Sequence, residues 1–214
     1  MKALTRILVI ISVAISVPLM AKDYDIVMKE AIQKMSQSKT SQEYIEVANL
    51  FERIGSSEKD KWLPYYYSAF CYTLMSTNTK EPDMVDTYLD KADEYLGNAE
   101  RLNGNKVELL AMRGFTTMLR ISVDPATRGQ DYSMKSVAYL QQAMQLDNKN
   151  PRVVLMLGQM QFGTAQFFGS GTEDACNMFR AASELFKEEA NKDLGLNPSW
   201  GMPQVESMLT KCEG

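Results

Sequence analysis

Apolar positions along the chain recur at helical spacing, and no stretch alternates apolar and polar residues over a useful length. Residues 24–38 set Ile26, Val27, Ala31, Ile32 and Met35 on one helical face. Thr40 or Ser41 can cap a second helix over 42–54, whose apolar face is Tyr44, Val47, Ala48, Phe51 and Ile54 and which Gly55 ends. Trp62 to Met75 is a strongly aromatic third helix, with Pro64 in a first turn that needs no N–H from it. Further helices are expected from Pro82 to Leu102, Lys106 to Ser122, Ser133 to Leu146, Pro151 to Phe168, Thr172 to Asn191 and Pro203 to Lys211. Polar turns divide them, including Asn103-Gly104-Asn105 and a loop over 126–132. The chain therefore reads as all-α, with nine or ten helices in consecutive hairpins.

A longer period lies over this pattern. A small residue, a large apolar one four on, then alanine and an apolar residue recur as Ala92, Leu96, Ala99, Leu102, as Ser136, Leu140, Ala143, Leu146, and as Ala175, Phe179, Ala182, Leu185. The preceding helices carry small residues at Ala69, Gly114 and Gly158, again at intervals of roughly forty residues. Each unit is a helix A, a connection and a helix B. The small residues are expected to let helix A approach its partner while Leu96, Leu140 and Phe179 fill the space.

This pattern resembles the tetratricopeptide repeat. Leu102-Asn103, Leu146-Asp147 and Pro151 match that family's inter-repeat turn, and Leu157-Gly158 matches the Leu-Gly pair of its helix A. The units are longer than the ~34 residues of that repeat, which the sequence attributes to extended A-to-B loops, and Tyr65, Leu110 and Val154 stand where the family has tryptophan. The resemblance implies a right-handed α-α superhelix, a TPR-like solenoid of antiparallel helix pairs with three to four repeats. It also implies a concave face lined by helix A that binds a protein or peptide. Carrying the register over places Tyr66, Phe70, Phe115, Met118, Gln159 and Phe162 toward that face.

The N-terminus reads as a secretory signal over 1–21. Lys2 and Arg6 precede the apolar run Ile7 to Val17, Pro18 ends it, and Ala21 is a small residue at a plausible cleavage position. That leaves 22–214 as a single helical-repeat domain, with 198–212 as a C-terminal cap in which Trp200, Pro198 and Pro203 clamp the last segment. The expected location is the periplasm, with no membrane insertion once the signal is removed.

The net charge of −4 becomes more acidic when Lys2 and Arg6 leave, which argues against nucleic acid and anionic membranes as partners. The chain has no histidine, so it lacks the commonest general base and metal ligand, and no nucleophile stands beside a base. No catalytic residue, cofactor or metal is assigned. Asp83, Asp86, Asp90, Asp93 and Glu94 form an acidic stripe at helical spacing, which does not wrap a cation as a loop does and reads as a solvated face. Gly169-Ser170-Gly171 lacks the lysine of a phosphate loop and reads as a turn. Among Tyr65, Tyr66 and Tyr67, successive residues point ~100° apart, so at least one faces the groove or solvent, and Tyr66 is the choice. Cys71 reads as a buried thiol, while Cys176 and Cys212 can pair or stay free.

The function these features favour is a periplasmic scaffold or adaptor for a protein or peptide partner in the cell envelope. A small-molecule or solute-binding module around Tyr66, Phe70 and Phe115 is the alternative from another class. A membrane-tethered adaptor with an uncleaved signal is the third.

Overall fold

The computed structural model describes residues 23–213; the expected signal segment lies outside them. Nine α-helices follow one another: α1 (Tyr24–Gln37), α2 (Ser41–Ser57), α3 (Leu63–Thr77), α4 (Pro82–Arg101), α5 (Lys106–Leu119), α6 (Pro125–Leu146), α7 (Pro151–Phe168), α8 (Glu173–Ala190) and α9 (Met202–Cys212), with a 3-10 turn at Arg120–Val123. No strand occurs among the described residues, and the fold is all-α. Each helix packs on the next in sequence; α3 also meets α1 and α5, and α5 meets α7.

Local chemistry sets the helix ends. Thr40 and Glu43 form a reciprocal capping box at the start of α2. Asn105 and Asn150 accept two backbone N–H groups each at the starts of α5 and α7. Gly169, in the left-handed region at φ 66°, closes α7.

The small residues of helix A do what their spacing implies. A Cβ on Gly114 would sit 2.5 Å from Leu140, and one on Gly158 would sit 2.8 Å from Phe179. Leu96, Leu140 and Phe179, with Ala99, Ala143 and Ala182, are fully buried. Ser136 adds a hydrogen bond from its hydroxyl to the Gly114 carbonyl at 2.8 Å, tying α6 to α5 where no side chain intervenes.

Three expectations change. The segment 126–132 is helix, because Asp124 caps α6, Pro125 occupies its first turn, and Arg128 is held by an ion pair to Asp86 at 2.8 Å. The units are therefore long because their helices are long, and the A-to-B connections are short. The acidic stripe of α4 is solvated only in part: Asp83 and Glu94 are exposed, whereas Arg120 contacts Asp86, Asp90 and Asp93, and Arg113 pairs with Asp93 and with Glu100 beyond the stripe. Of the two states open to Cys176 and Cys212 the structure has the disulfide, which fastens α9 to α8, and Cys71 is the buried free thiol expected of it.

Candidate functional site

The residues assigned to the concave face do not form an open groove. Trp200, on the loop before α9, stacks on Phe70 with ring centroids 4.9 Å apart and on Phe115 at 5.9 Å. Its indole N–H donates to the Tyr66 hydroxyl at 2.9 Å. Tyr67 donates to the Leu196 carbonyl at 2.8 Å, so the same loop is bonded to two adjacent residues of α3. Tyr66 is completely buried, and Tyr65 is the partly exposed member of the triplet. Phe162 is buried against Phe179, while Met118 and Gln159 are half-buried. The C-terminal segment thus packs against the middle of the stack as well as against its last helix.

Behind Tyr66 lies a buried charge network that hydropathy does not reveal. The Arg152 guanidinium bonds both oxygens of Glu108 at 2.8 Å and both oxygens of Glu189 at 2.8 and 2.9 Å. Asn150 donates to Glu108 at 2.6 Å, and Tyr66 donates to it at 3.4 Å. Burial opposes the charge on Arg152, but its bonds to Glu189 and Glu108 outweigh that and raise its pKa. Burial pushes the Tyr66 hydroxyl pKa well up, and the nearby Glu108 adds to the effect. One cation between two carboxylates leaves an excess negative charge. The N-termini of α5 and α7, where Glu108 and Asn150 sit, offset it with their partial positive ends. The network is closed on itself and fixes the start of α5 and α7; it offers no free group for chemistry.

The open apolar site lies elsewhere, between α6, α7 and α8. Of the 22 residues of α6 only Ser136, Leu140 and Ala143 are buried, all on the face toward α5. About 100° further round the helix, Met134 and Val137 face α7 across a gap. Leu157, Met160, Gln161 and Thr164 line the other wall, Met178 closes the end from α8, and the cleft encloses about 380 Å³. None of its lining residues is charged. Met134 is 60% exposed, and Phe167 and Phe168 are 73% and 74% exposed. The two phenylalanine rings meet edge to face at 5.1 Å. They stand at the end of α7, three and four residues beyond Thr164, the spacing of neighbours on a helix surface. Apolar side chains this exposed and adjacent to a cleft mark a contact surface. The sequence held a signal for this in its methionine count of 15 and the Phe167-Phe168 pair before a glycine turn.

Among the described residues no group of histidine, cysteine or carboxylate side chains is placed to hold a metal ion, and no helix is long and apolar enough to cross a membrane. No protein-family model matches the chain, and no curated protein does. Among solved structures, the chain is similar to the HusA haemophore from Porphyromonas gingivalis, at 26% identity and a TM-score of 0.80, over 90% of this chain and 94% of that one.

Proposed function

We propose that this protein is an exported binding protein that holds a flat, largely apolar ligand of the porphyrin class, haem foremost, in the cleft between α6, α7 and α8. The observation that carries the reading is the cleft itself: uncharged, methionine-rich and about 380 Å³ in volume, with two exposed phenylalanines at the end of α7, one of the helices that line it. That size is within the range of small-molecule sites, which are mostly apolar with a few polar groups. The similarity to a haemophore supplies the ligand class. Phe167 and Phe168 stand edge to face, so one of the two rings suits stacking on a macrocycle face while the other meets it edge-on. With no histidine in the chain, the side chains at hand for iron are the thioethers of Met134, Met160 and Met178.

The finer architectural reading, a right-handed TPR-like superhelix, is supported by the sequential packing of the helix pairs and by the Gly114–Leu140 and Gly158–Phe179 contacts. The scaffold reading has less support, since Tyr66, Phe70 and Phe115 contact Trp200 of the same chain. An exported location accords with the haemophore likeness and with the basic and apolar pattern of residues 1–21.

The test is a titration of the purified protein with hemin and with metal-free protoporphyrin, followed by the absorbance of the bound porphyrin. Met134→Asp puts a charge on a largely exposed cleft position. It is expected to weaken both ligands about tenfold or more, because burying an unpaired charge against the macrocycle is unfavourable. Equal binding by wild type and Met134→Asp would refute the site.

A further inference from the structure

A second cleft, of about 390 Å³, opens where the end of α2, the start of α3 and the end of α4 meet. Its chemistry is the opposite of the first. Lys59 and Arg101 stand at its rim, the Ser56, Tyr65 and Asn98 side chains face it, and no carboxylate lines it. The floor is held in place from two sides. Gly55 lies so close to the Tyr65 ring that a Cβ there would sit 2.8 Å from its Cζ, and Tyr95 stacks on the same ring at 6.5 Å. Arg101 is held by the side-chain carbonyl of Asn98.

Most other arginines among the described residues have a carboxylate partner, Arg53 being an exception. Arg113, Arg120, Arg128, Arg152 and Arg180 all pair with carboxylates. Among the described residues neither Lys59 nor Arg101 has such an ion pair. In a chain with 27 acidic residues against 23 basic ones, two neighbouring cations without a carboxylate bound a cleft furnished with hydrogen-bond donors.

We infer that this cleft is a binding site for a small aromatic carboxylate, its anionic end between Lys59 and Arg101 and its ring against Leu102 and the free edge of Tyr65. A guanidinium presents parallel N–H groups that match a carboxylate. The lysine adds a second charge, and the aromatic floor takes the apolar body. The site is separate from the porphyrin cleft and stands on its own observations.

The experiment is an amide-resonance titration of the full chain with 1-naphthoate, with uncharged 1-naphthamide as the control. Naphthoate is expected to shift the amides of Gly55, Ser56, Asn98 and Arg101, to leave those of Gln161 and Thr164 unmoved, and to bind more weakly as salt is raised. Lys59→Ala and Arg101→Ala should each weaken it about fivefold or more, consistent with charge-assisted contacts. Both side chains are exposed, so the variants are expected to fold. Equal binding of naphthamide, shifts confined to the α6–α7 cleft, or no shift at all would overturn the assignment. So would variants that lower the melting temperature while binding naphthoate as wild type does, since the cations would then serve only the helix ends.

Discussion

Trp200 donates its indole N–H to the Tyr66 hydroxyl at 2.9 Å, and Tyr66 in turn donates to Glu108 at 3.4 Å. The tryptophan therefore contributes through stacking and through a hydrogen bond that reaches the buried network. Trp200→Phe keeps a ring over Phe70 and Phe115 and is expected to cost about 1 kcal/mol, the net value of one hydrogen bond. Trp200→Ala also empties the space between those rings and is expected to cost about 3 kcal/mol. Urea unfolding of both variants measures the difference.

Removing Arg152 strands Glu108, which is only 4% exposed. Arg152→Met is expected to destabilise by about 3–5 kcal/mol, the usual consequence of breaking a buried ion pair from one side. Adding Glu108→Gln to that variant should restore part of the loss, because the stranded charge is gone. A double-mutant cycle in denaturant gives the coupling directly.

Among the three cysteines only Cys212 is half-buried; Cys71 and Cys176 are both buried. Cys71 is fully buried and burial pushes its thiol pKa up, so iodoacetamide should leave it unmodified in the folded protein. After reduction, Cys212 should label first, and Cys71 only on unfolding. Replacing both disulfide partners by serine is expected to cost about 2–4 kcal/mol. Mass spectrometry of labelled peptides and thermal unfolding follow the two effects.

Acid stability follows from the carboxylates. The bidentate bond from Arg113 holds the Glu100 carboxyl below its ordinary value of 4.5. The backbone N–H groups of Lys39 and Thr40 do the same for Glu43. A carboxylate whose pKa is lower in the folded state binds fewer protons there than in the unfolded chain. Its contribution is present above pH 4.5 and is lost as pH falls through the folded value. Glu100→Gln should therefore lose stability at neutral pH and show a shallower decline below pH 4.5, read from urea midpoints across the range.

Packing was the part of this molecule most legible in its sequence. Gly114 and Gly158 oppose Leu140 and Phe179 because a helix crossing that close excludes a Cβ, and periodicity reports such constraints directly. Tyr66, Phe70 and Phe115 were placed on the inner helices, but the same pattern could not say that Trp200 covers them, since a contact across 134 residues leaves no periodic trace. Arg152 and Glu108 look like surface charges one by one; only the convergence of two helix starts buries them. The α6–α7 cleft was missed because it arises from what α6 fails to bury, and Met134 is indistinguishable from core methionine until its exposure is known.

In a stack of helix pairs where each touches only its neighbours, the ends open first and opening spreads inward. The loop carrying Trp200 changes that order here. It joins the segment beside α9 to the middle of α3, and the disulfide keeps α9 on α8. The C-terminal pair cannot peel away without exposing Phe70, Phe115 and the Glu108 network together. Amide exchange in α3, α5, α7 and α8 should consequently proceed through one shared opening, with slow and similar rates along the set instead of a gradient from the C-terminus.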